Sequence, residues 1–219
     1  MIPPSLEVVV VPGWGLGESV WAPVQAALTR EAPDLVLTVL ELGDVFADGT
    51  TGLPRLAVGH STGFLWLLRR RPLAWRGLVA VNGFTRFVTG PGFPHGVDPR
   101  VLHRMLNRFE QDPAAVRTAF LERCGAPAVP FPPAAPLERL REGLSWLGAE
   151  DARDALAAEP TPVLVLAGGA DPIVTPAMTE ACFGGRGEIF WQPKGGHLLP
   201  FSHPAWTAGA IVRFARAIL

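Results

Sequence analysis

An apolar run interrupted by two glycines and one serine lies in the first third of the chain: Leu56-Ala57-Val58-Gly59-His60-Ser61-Thr62-Gly63-Phe64-Leu65-Trp66-Leu67-Leu68. Its centre has the form Gly-x-Ser-x-Gly, which is typical of a sharp turn between a strand and a helix that presents a nucleophilic serine. Such a turn strains the serine backbone, and strand and helix pass closely only where side chains are absent. Gly59 and Gly63 meet that requirement, so we predict that Ser61 is a nucleophile.

Short apolar runs alternate with helical patterns on both sides of this turn. The alternation predicts an α/β fold, in which crossover helices cover a mainly parallel sheet of about six strands. We expect strands over residues 6–11, 35–42, 56–58, 77–81, 162–167 and 188–191. We expect helices of the core over residues 19–30, 175–181 and 203–218.

The alternation stops between residues 84 and 148, where the pattern is helical with proline-rich joints. On the first of these helices, Arg100, Arg104 and Arg108 recur every fourth residue and share one face beside an apolar stripe. A helical insertion between two strands of a parallel sheet predicts a lid after the fourth strand. Residues 1–83 and 149–219 are then the core, and residues 84–148 are the lid.

The composition is that of one globular domain. Of the 219 residues, 48% are hydrophobic and 18% are charged, which excludes a disordered chain. No apolar run reaches the length that crosses a bilayer, and the N-terminus lacks the basic region of a secretory signal. Cys124 and Cys182 have no metal-ligand spacing, so we expect a reduced, cytoplasmic setting, with a single disulfide left open.

The net charge of -1 conceals an uneven distribution. Residues 69–108 contain eight arginines and one acid, Asp98, so the remainder of the chain is acidic. A segment of this kind suits an acidic protein or a phosphate-bearing substrate, and equally a solvated surface rich in arginine. Because no binding motif accompanies it, we do not expect a nucleic-acid partner.

A serine hydroxyl needs an imidazole to take its proton and a carboxylate to orient that imidazole. Of the five histidines, only His197 follows a buried strand on a glycine-flanked loop, where side chains project from the edge of such sheets. Asp171 has the same placement after the preceding strand, whereas Asp151 and Asp154 fall in a helical pattern. The chain order Ser61, Asp171, His197 is that of α/β-hydrolases.

The other four histidines are expected in other roles. His60 adjoins the serine within the turn and points elsewhere, and His95 lies in a loop rich in glycine and proline. His103 falls on the predicted lid, and His203 begins the last helix, where it caps or packs.

The acylation intermediate carries a negative oxygen that needs preorganised donors. One donor is the backbone N–H that follows the nucleophile, which belongs to Thr62. We assign the second to Trp14, because Gly13-Trp14-Gly15 after the first strand allows close backbone approach. A glycine-rich loop after a strand also suits phosphate binding, but neither Gly-x-Gly-x-x-Gly nor a lysine-bearing phosphate loop is present.

Several motifs together resemble the carboxylesterases of biotin synthesis, within the α/β-hydrolase superfamily. They are Pro12-Gly13-Trp14-Gly15-Leu16 with Val20-Trp21, the Ser61 turn with His60, Phe109-Glu110-Gln111, Gly143-Leu144 with Trp146-Leu147 ahead of Asp151, and Gly196-His197 leading to Phe201-Ser202-His203-Pro204. The resemblance covers most of the chain, with gaps. It implies hydrolysis of the methyl ester of pimeloyl-acyl carrier protein without a cofactor or metal.

The resemblance also implies roles for individual residues. Those lining the acyl site would be Trp14, Thr62, Phe109 and Gln111. Those docking the acidic carrier protein would be Arg100, Arg104 and Arg108. In three respects the sequence departs from the pattern: Pro12 replaces the usual histidine before the oxyanion glycine, the N-terminal hairpin is missing, and the 43–54 connection lacks a Pro-Gly-x-Gly-x-Ser turn.

Other functions use the same residues. A broad-specificity short-chain esterase shares all three residues of the triad, and the same triad serves the hydrolysis of carbon-carbon bonds. A non-catalytic binding protein of this fold would not need Ser61, Asp171 and His197 at the matching positions of the three loops. A narrow apolar tunnel with a basic mouth above Ser61 favours the pimeloyl ester, whereas an open cleft favours the broad-specificity esterase.

Overall fold

The computed structural model describes residues 3–42, 52–126, 135–186 and 188–219. Its strands are β1 (Leu6–Val11), β2 (Leu35–Val39), β3 (Arg55–His60), β4 (Gly77–Val81), β5 (Val163–Gly168) and β6 (Ile189–Gln192). Its helices are α1 (Glu18–Glu31), α2 (Thr62–Arg70), α3 (Pro99–Phe109), α4 (Pro113–Arg123), α5 (Leu137–Ala149), α6 (Arg153–Ala157), α7 (Pro176–Phe183), α8 (Leu199–Ser202) and α9 (Pro204–Ile218). Among these residues, no helix is long and apolar enough to cross a membrane.

In the described part of the chain, six strands form one sheet in the order β2-β1-β3-β4-β5-β6, and every pairing is parallel. The predicted fold class is confirmed. Every residue of β1 and β4 is buried, because helices cover both faces of the sheet. All the strands end at the same edge, which we call the carboxyl edge, and they begin at the opposite, amino edge.

Several predicted boundaries differ from those of the structure. β2 ends at Val39, and α1 begins after Gly17 without a side-chain cap. The C-terminal segment contains two helices, because α8 precedes α9 and His203 separates them. Pro204 then occupies the first position of α9, where its missing N–H costs nothing.

Only part of the predicted lid is helical. α3, α4 and α5 lie between β4 and β5; we call them the lid helices, and their action as a lid stays a prediction. Residues 84–98 are not helical and fold back through bridges between Val88 and Val97 and between Gly90 and Phe93. The glycines and prolines over residues 90–94 prevent this segment from forming a helix, and Gly92 has a φ of +67°. The proline-rich joint at 127–134 and most of the 43–54 connection lie outside the described residues.

Both cysteines are buried and free, so Cys124 and Cys182 do not form the disulfide that the sequence left open. Burial raises the pKa of the Cys124 thiol above its ordinary value. This thiol therefore stays protonated near neutral pH and behaves as a small apolar side chain.

Candidate active site

Ser61 stands at the turn between β3 and α2. Its φ is +55°, in the left-handed region that residues other than glycine rarely occupy. A Cβ on Gly59 would lie 2.3 Å from the Phe64 Cα. A Cβ on Gly63 would lie 2.0 Å from the carbonyl oxygen of Val11. The backbone strain and the two close approaches predicted from Gly-x-Ser-x-Gly are therefore present.

His197 contacts both Ser61 and Asp171. Its Nε2 lies 3.0 Å from the Ser61 Oγ, and its Nδ1 lies 2.8 Å from the Asp171 Oδ2. The Asp171 Oδ1 accepts hydrogen bonds from the amides of Ile173 and Val174, at 2.7 and 3.0 Å. Because Nδ1–H donates to the carboxylate, Nε2 is left to accept the proton of the serine hydroxyl. The three side chains form one continuous hydrogen-bonded chain.

These three side chains come from three loops at the carboxyl edge. Ser61 follows β3, Asp171 follows β5 and His197 follows β6. None of the three residues is more than 4% exposed, so their hydrogen bonds are shielded from bulk water.

Asp151, the alternative carboxylate, is engaged elsewhere. It forms ion pairs with Arg153, at 2.7 Å, and with Arg86, at 2.5 Å. The hydrogen bonds from Arg153 and Arg86 hold the pKa of this carboxyl well below its ordinary value. Asp151 therefore ties residues 84–98 to the start of α6 and is not the partner of His197.

The loop after β1 lies against Ser61. A Cβ on Gly13 would lie 2.8 Å from the Ser61 Cβ. The Leu16 amide closes a turn by donating to the Gly13 carbonyl at 3.1 Å, and Gly15 has a φ of +68°. Trp14 is then the second residue of the turn, whose amide takes no part in the closing hydrogen bond.

Thr62 supplies the other amide assigned to the oxyanion hole. It is the first residue of α2, and the N–H groups of a helix's first turn have no acceptor within the helix. No backbone hydrogen bond from the amide of Trp14 or Thr62 is present among the described residues, and the role of the two amides in binding an oxyanion stays a prediction.

The Trp14 side chain is buried beneath the lid helices. Its indole Nε1 donates to the Leu140 carbonyl of α5 at 2.6 Å. Its ring meets Phe109 of α3 and Phe120 of α4 edge to face, with centroids 6.1 and 5.1 Å apart. Three helices therefore hold the residue whose amide was assigned to the oxyanion hole.

Arg117 of α4 holds the same loop by a hydrogen bond. Its Nε donates to the Gly15 carbonyl at 3.0 Å. Burial lowers the pKa of this guanidinium, which nonetheless remains charged at neutral pH. The loop after β1 is thus fixed by side chains of the lid as well as by its own turn.

A cavity of about 740 Å³ lies above Ser61, between the carboxyl edge and the lid helices. Trp14, Thr62 and Gln111 line it, as the resemblance implies. Phe109 is outside the lining, because it is buried behind the Trp14 ring. The volume is within the range of pockets that hold drug-sized ligands.

A family model described as the alpha/beta hydrolase family matches residues 8–210. The chain belongs to the alpha/beta hydrolase family. This finding agrees with the predicted fold.

The hydrolase has similar proteins that align over nearly its whole length. It is 28% identical to a pimeloyl-[acyl-carrier protein] methyl ester esterase of Stenotrophomonas maltophilia (strain R551-3), over 97% of this chain and 93% of that protein. An esterase (EaEST) from Exiguobacterium antarcticum has a TM-score of 0.78 at 15% identity, over 98% of this chain and 93% of that one. BioG from Haemophilus influenzae has a TM-score of 0.68 at 17% identity, over 94% of each chain.

The two solved structures show that the fold is shared. The family and the full-length relative also confirm the resemblance found in the sequence motifs, and they support the predicted enzyme class, a carboxylic ester hydrolase.

The arginines of the first lid helix differ in their surroundings. Arg104 and Arg108 line the cavity. Arg100 lies outside the lining and pairs with Asp98, with 2.5 Å between Nη2 and Oδ2. Hydrogen bonds from Arg100 lower the pKa of the Asp98 carboxyl to about 2. Two of the three arginines therefore line the cavity, and the docking role of all three stays a prediction.

Sequence reasoning missed Arg123 at the end of α4. It lines the cavity, and its Nη2 donates to the Pro172 carbonyl at 3.3 Å, beside Asp171. Its position three residues after Phe120, which also lines the cavity, is the signal that would have indicated it.

Sequence reasoning also missed contacts on the far side of His197. The ring of His60 makes its hydrogen bond with the His197 carbonyl oxygen, 2.9 Å from its Nε2. Asn82 Nδ2 lies 2.9 Å from the same oxygen. A polar residue that ends the apolar run of β4 at the carboxyl edge was the available signal for Asn82.

Proposed function

We propose that this hydrolase is a serine carboxylesterase that works through an acyl-enzyme. Ser61 is the nucleophile, His197 is the general base and then the general acid, and Asp171 orients the imidazole. The observation that carries the proposal is the hydrogen-bonded chain of these three buried side chains.

In the proposed first half-reaction, the Ser61 Oγ attacks the ester carbonyl while its proton passes to the Nε2 of His197. The carbonyl oxygen becomes negative and accepts hydrogen bonds from the amides of Trp14 and Thr62. The intermediate then collapses, and the departing alkoxide takes the proton from His197. The alcohol leaves, and the acyl group remains on Ser61.

In the second half-reaction, a water molecule replaces the alcohol. It gives a proton to the Nε2 of His197 and attacks the acyl carbonyl carbon. When this intermediate collapses, the Ser61 oxygen takes the proton back and the carboxylic acid leaves. Asp171 stays ionised throughout and stabilises the imidazolium that forms twice in each cycle.

The test is hydrolysis of p-nitrophenyl esters of short and medium acyl chains by the wild-type protein and by Ser61→Ala. We expect turnover by the wild type and a loss of at least about 10⁴-fold in the variant. Wild-type activity no higher than that of Ser61→Ala, with both proteins folded, would refute the proposal.

For the natural substrate, we propose the methyl ester of pimeloyl-acyl carrier protein. The full-length relative carries that activity in its name. The cavity combines an apolar wall, which includes Met105 and Val116, with the cations Arg104, Arg108 and Arg123. An apolar wall suits the methylene chain, and cations suit the phosphate and the acidic surface of a carrier. The cytoplasmic location stays a prediction.

The proposed docking face for the carrier contains Arg100, Arg104 and Arg108. Charge reversal of all three to Glu is expected to raise KM for the carrier-linked ester about tenfold and to change KM for free dimethyl pimelate much less, because that diester has no charge for the cavity-lining Arg104 and Arg108 to attract. Arg30→Glu on α1 is a matched control on a distant, exposed surface. Unchanged turnover of the carrier-linked ester would refute docking at this face.

The second candidate function is a broad-specificity short-chain esterase. The cavity volume of about 740 Å³ favours it, since a narrow tunnel for one acyl chain needs less space. The two candidates differ in the ratio of kcat/KM for the carrier-linked methyl ester to kcat/KM for free esters. The ratio should be well above one for a carrier-specific enzyme and near one for a broad-specificity esterase.

A further inference from the structure

We infer that His60 and Asn82 are positioning residues for His197. Both side chains donate hydrogen bonds to the main-chain carbonyl oxygen of His197, each across 2.9 Å. The inference rests on the proposed function, in which the imidazole of His197 exchanges a proton with Ser61. We call this pair of donors the carbonyl clamp.

The orientation of the Asn82 amide is fixed by a donor on its other side. Its Oδ1 accepts a hydrogen bond from the Gly168 amide at 2.8 Å, so its NH₂ group faces the His197 loop. That NH₂ group also lies 2.9 Å from the Gly196 carbonyl oxygen. Asn82 therefore ties the end of β5, three residues before Asp171, to the loop that carries His197.

The backbone of Asn82 explains why an asparagine stands at this position. Its φ is +44°, and its amide donates to the Leu166 carbonyl at 2.8 Å. Among residues other than glycine, asparagine and aspartate adopt this left-handed conformation most readily. An ionised aspartate has no hydrogen to donate to a carbonyl, so only asparagine meets both demands.

His60 donates while its ring is uncharged. Burial, followed by the charge of His197, lowers the pKa of His60 to about 3. Because its partner is a carbonyl, the ring hydrogen is on Nε2, and among the described residues Nδ1 has no hydrogen-bond partner. The two ring centroids are 5.3 Å apart, so a charged His60 would oppose the imidazolium that His197 forms during turnover.

The loop before His197 is held mainly through its carbonyl groups. Gly195 and Gly196 have no side chains to pack, and a Cβ on Gly196 would meet nothing within 4 Å. The Gly195 carbonyl accepts from the Ala170 amide at 2.9 Å, and the next two carbonyls accept from the clamp. The main chain thereby sets the distance between the imidazole and Ser61, and a misplacement of 1 Å costs on the order of 10²-fold in rate.

The test compares Asn82→Gly with Asn82→Asp. Glycine accepts the left-handed φ and removes all three side-chain hydrogen bonds of Asn82, to Gly168, Gly196 and His197. Aspartate keeps an acceptor for the Gly168 amide but replaces the NH₂ donor by a carboxylate oxygen, which cannot donate to the two carbonyls. We expect both variants to lower kcat on a p-nitrophenyl ester by on the order of 10²-fold while KM stays within about twofold. Labelling of Ser61 by a fluorophosphonate should slow by the same factor, because it needs the same proton transfer.

His60→Leu and His60→Gln test the other half of the clamp. Leucine removes the donor, while glutamine keeps an uncharged N–H donor, so His60→Gln should recover part of the activity that His60→Leu loses. Because both donors act on one oxygen, the effects of His60→Leu and Asn82→Asp should not be additive in the double variant.

Thr161→Val is the matched control. It also removes a side-chain hydrogen bond, from Oγ1 to Glu159 at 2.6 Å, but at the amino edge, so kcat should not change. Thermal unfolding shows which variants are folded. If one of the two variants at Asn82 or at His60 does not fold, the kcat of the other variant at that position is the test. Folded Asn82→Asp and His60→Leu with wild-type kcat and labelling rates would overturn the clamp alone. Wild-type protein that a fluorophosphonate does not label would overturn the proposed function and the clamp together.

Discussion

The carboxyl and amino edges of the sheet differ in backbone conformation and in how their charged groups are paired. At the carboxyl edge, Ser61 and Asn82 have left-handed backbones, the amides of Trp14 and Thr62 donate no hydrogen bond to the described backbone, and a cavity lies between the strands and the lid helices. Such features cost stability and persist only where the surrounding structure enforces them. Of the three non-glycine residues with positive φ in the described chain, two therefore lie where the proposed chemistry takes place, and the third, Arg71, ends α2.

At the amino edge, carboxylates form ion pairs with arginines of the same edge. The Asp34 carboxylate receives hydrogen bonds from the Arg216 guanidinium at 2.5 and 2.6 Å and from the Ser5 hydroxyl at 2.5 Å. Arg71 likewise pairs with the buried Glu159 at 2.6 Å. Charges here are matched to one another and not to a ligand. We therefore expect substitutions at the carboxyl edge to change activity and those at the amino edge to change stability.

The largest expected effect is that of Asp171→Asn. Asparagine has nearly the same shape but does not hold His197 in the tautomer that leaves Nε2 free, so kcat should fall on the order of 10⁴-fold. The melting temperature should change little. Asp151→Asn is the control, and it should keep wild-type kcat because, in the described part of the chain, Asp151 forms its ion pairs with Arg86 and Arg153 and not with His197. Equal losses in the two variants would contradict the assignment of Asp171.

A smaller effect is expected from Arg117→Met, which removes the hydrogen bond between the lid and the Gly15 carbonyl. The Trp14 amide should then be less well held, and kcat should fall about tenfold, as for the loss of one charge-assisted hydrogen bond. KM and kcat on a p-nitrophenyl ester would be measured beside Arg30→Met, an exposed control. A change confined to KM would show that Arg117 acts on substrate binding instead.

The smallest effect is expected at the amino edge, from Asp34→Asn. Hydrogen bonds from Arg216 and then Ser5 hold the pKa of Asp34 well below its ordinary value of 3.8. A carboxyl with a lowered folded-state pKa stabilises the protein above its unfolded pKa and loses that contribution as the pH falls through the folded one. The variant should melt about 3 °C below wild type at pH 7, and the difference should shrink below about pH 4. Wild-type kcat is expected, and a loss of activity without a loss of stability would contradict the contrast between the two edges.

The triad was predictable because each of its members has a local signal. Ser61 has its glycines, and Asp171 and His197 each follow an apolar strand on a short loop. Parallel strands bring such loops to one edge, so local patterns were enough to predict that the three side chains meet.

The features that the sequence did not predict depend on contacts between segments that are far apart in the chain. The end of the apolar run of β4 draws attention to Asn82, but the sequence does not indicate that Asn82 and His60 share an acceptor on His197. Nor does anything near Arg117 indicate that it binds the carbonyl of Gly15. Residues 84–98 were assigned to a helical lid because the alternation of short apolar runs with helical patterns stops there, but bridges within that segment determine its path. Phe109 was expected in the cavity, and its position behind Trp14 is likewise set by three-dimensional packing.

One measurement addresses the proposed mechanism with few assumptions: the mass of the protein and of its peptides after reaction with a fluorophosphonate. We predict one adduct per chain, on the peptide that contains Ser61, with loss of esterase activity in proportion to labelling. The adduct should be absent from Ser61→Ala and should form far more slowly in Asp171→Asn. An unlabelled protein, or an adduct on another residue while activity is lost, would contradict Ser61 as the nucleophile.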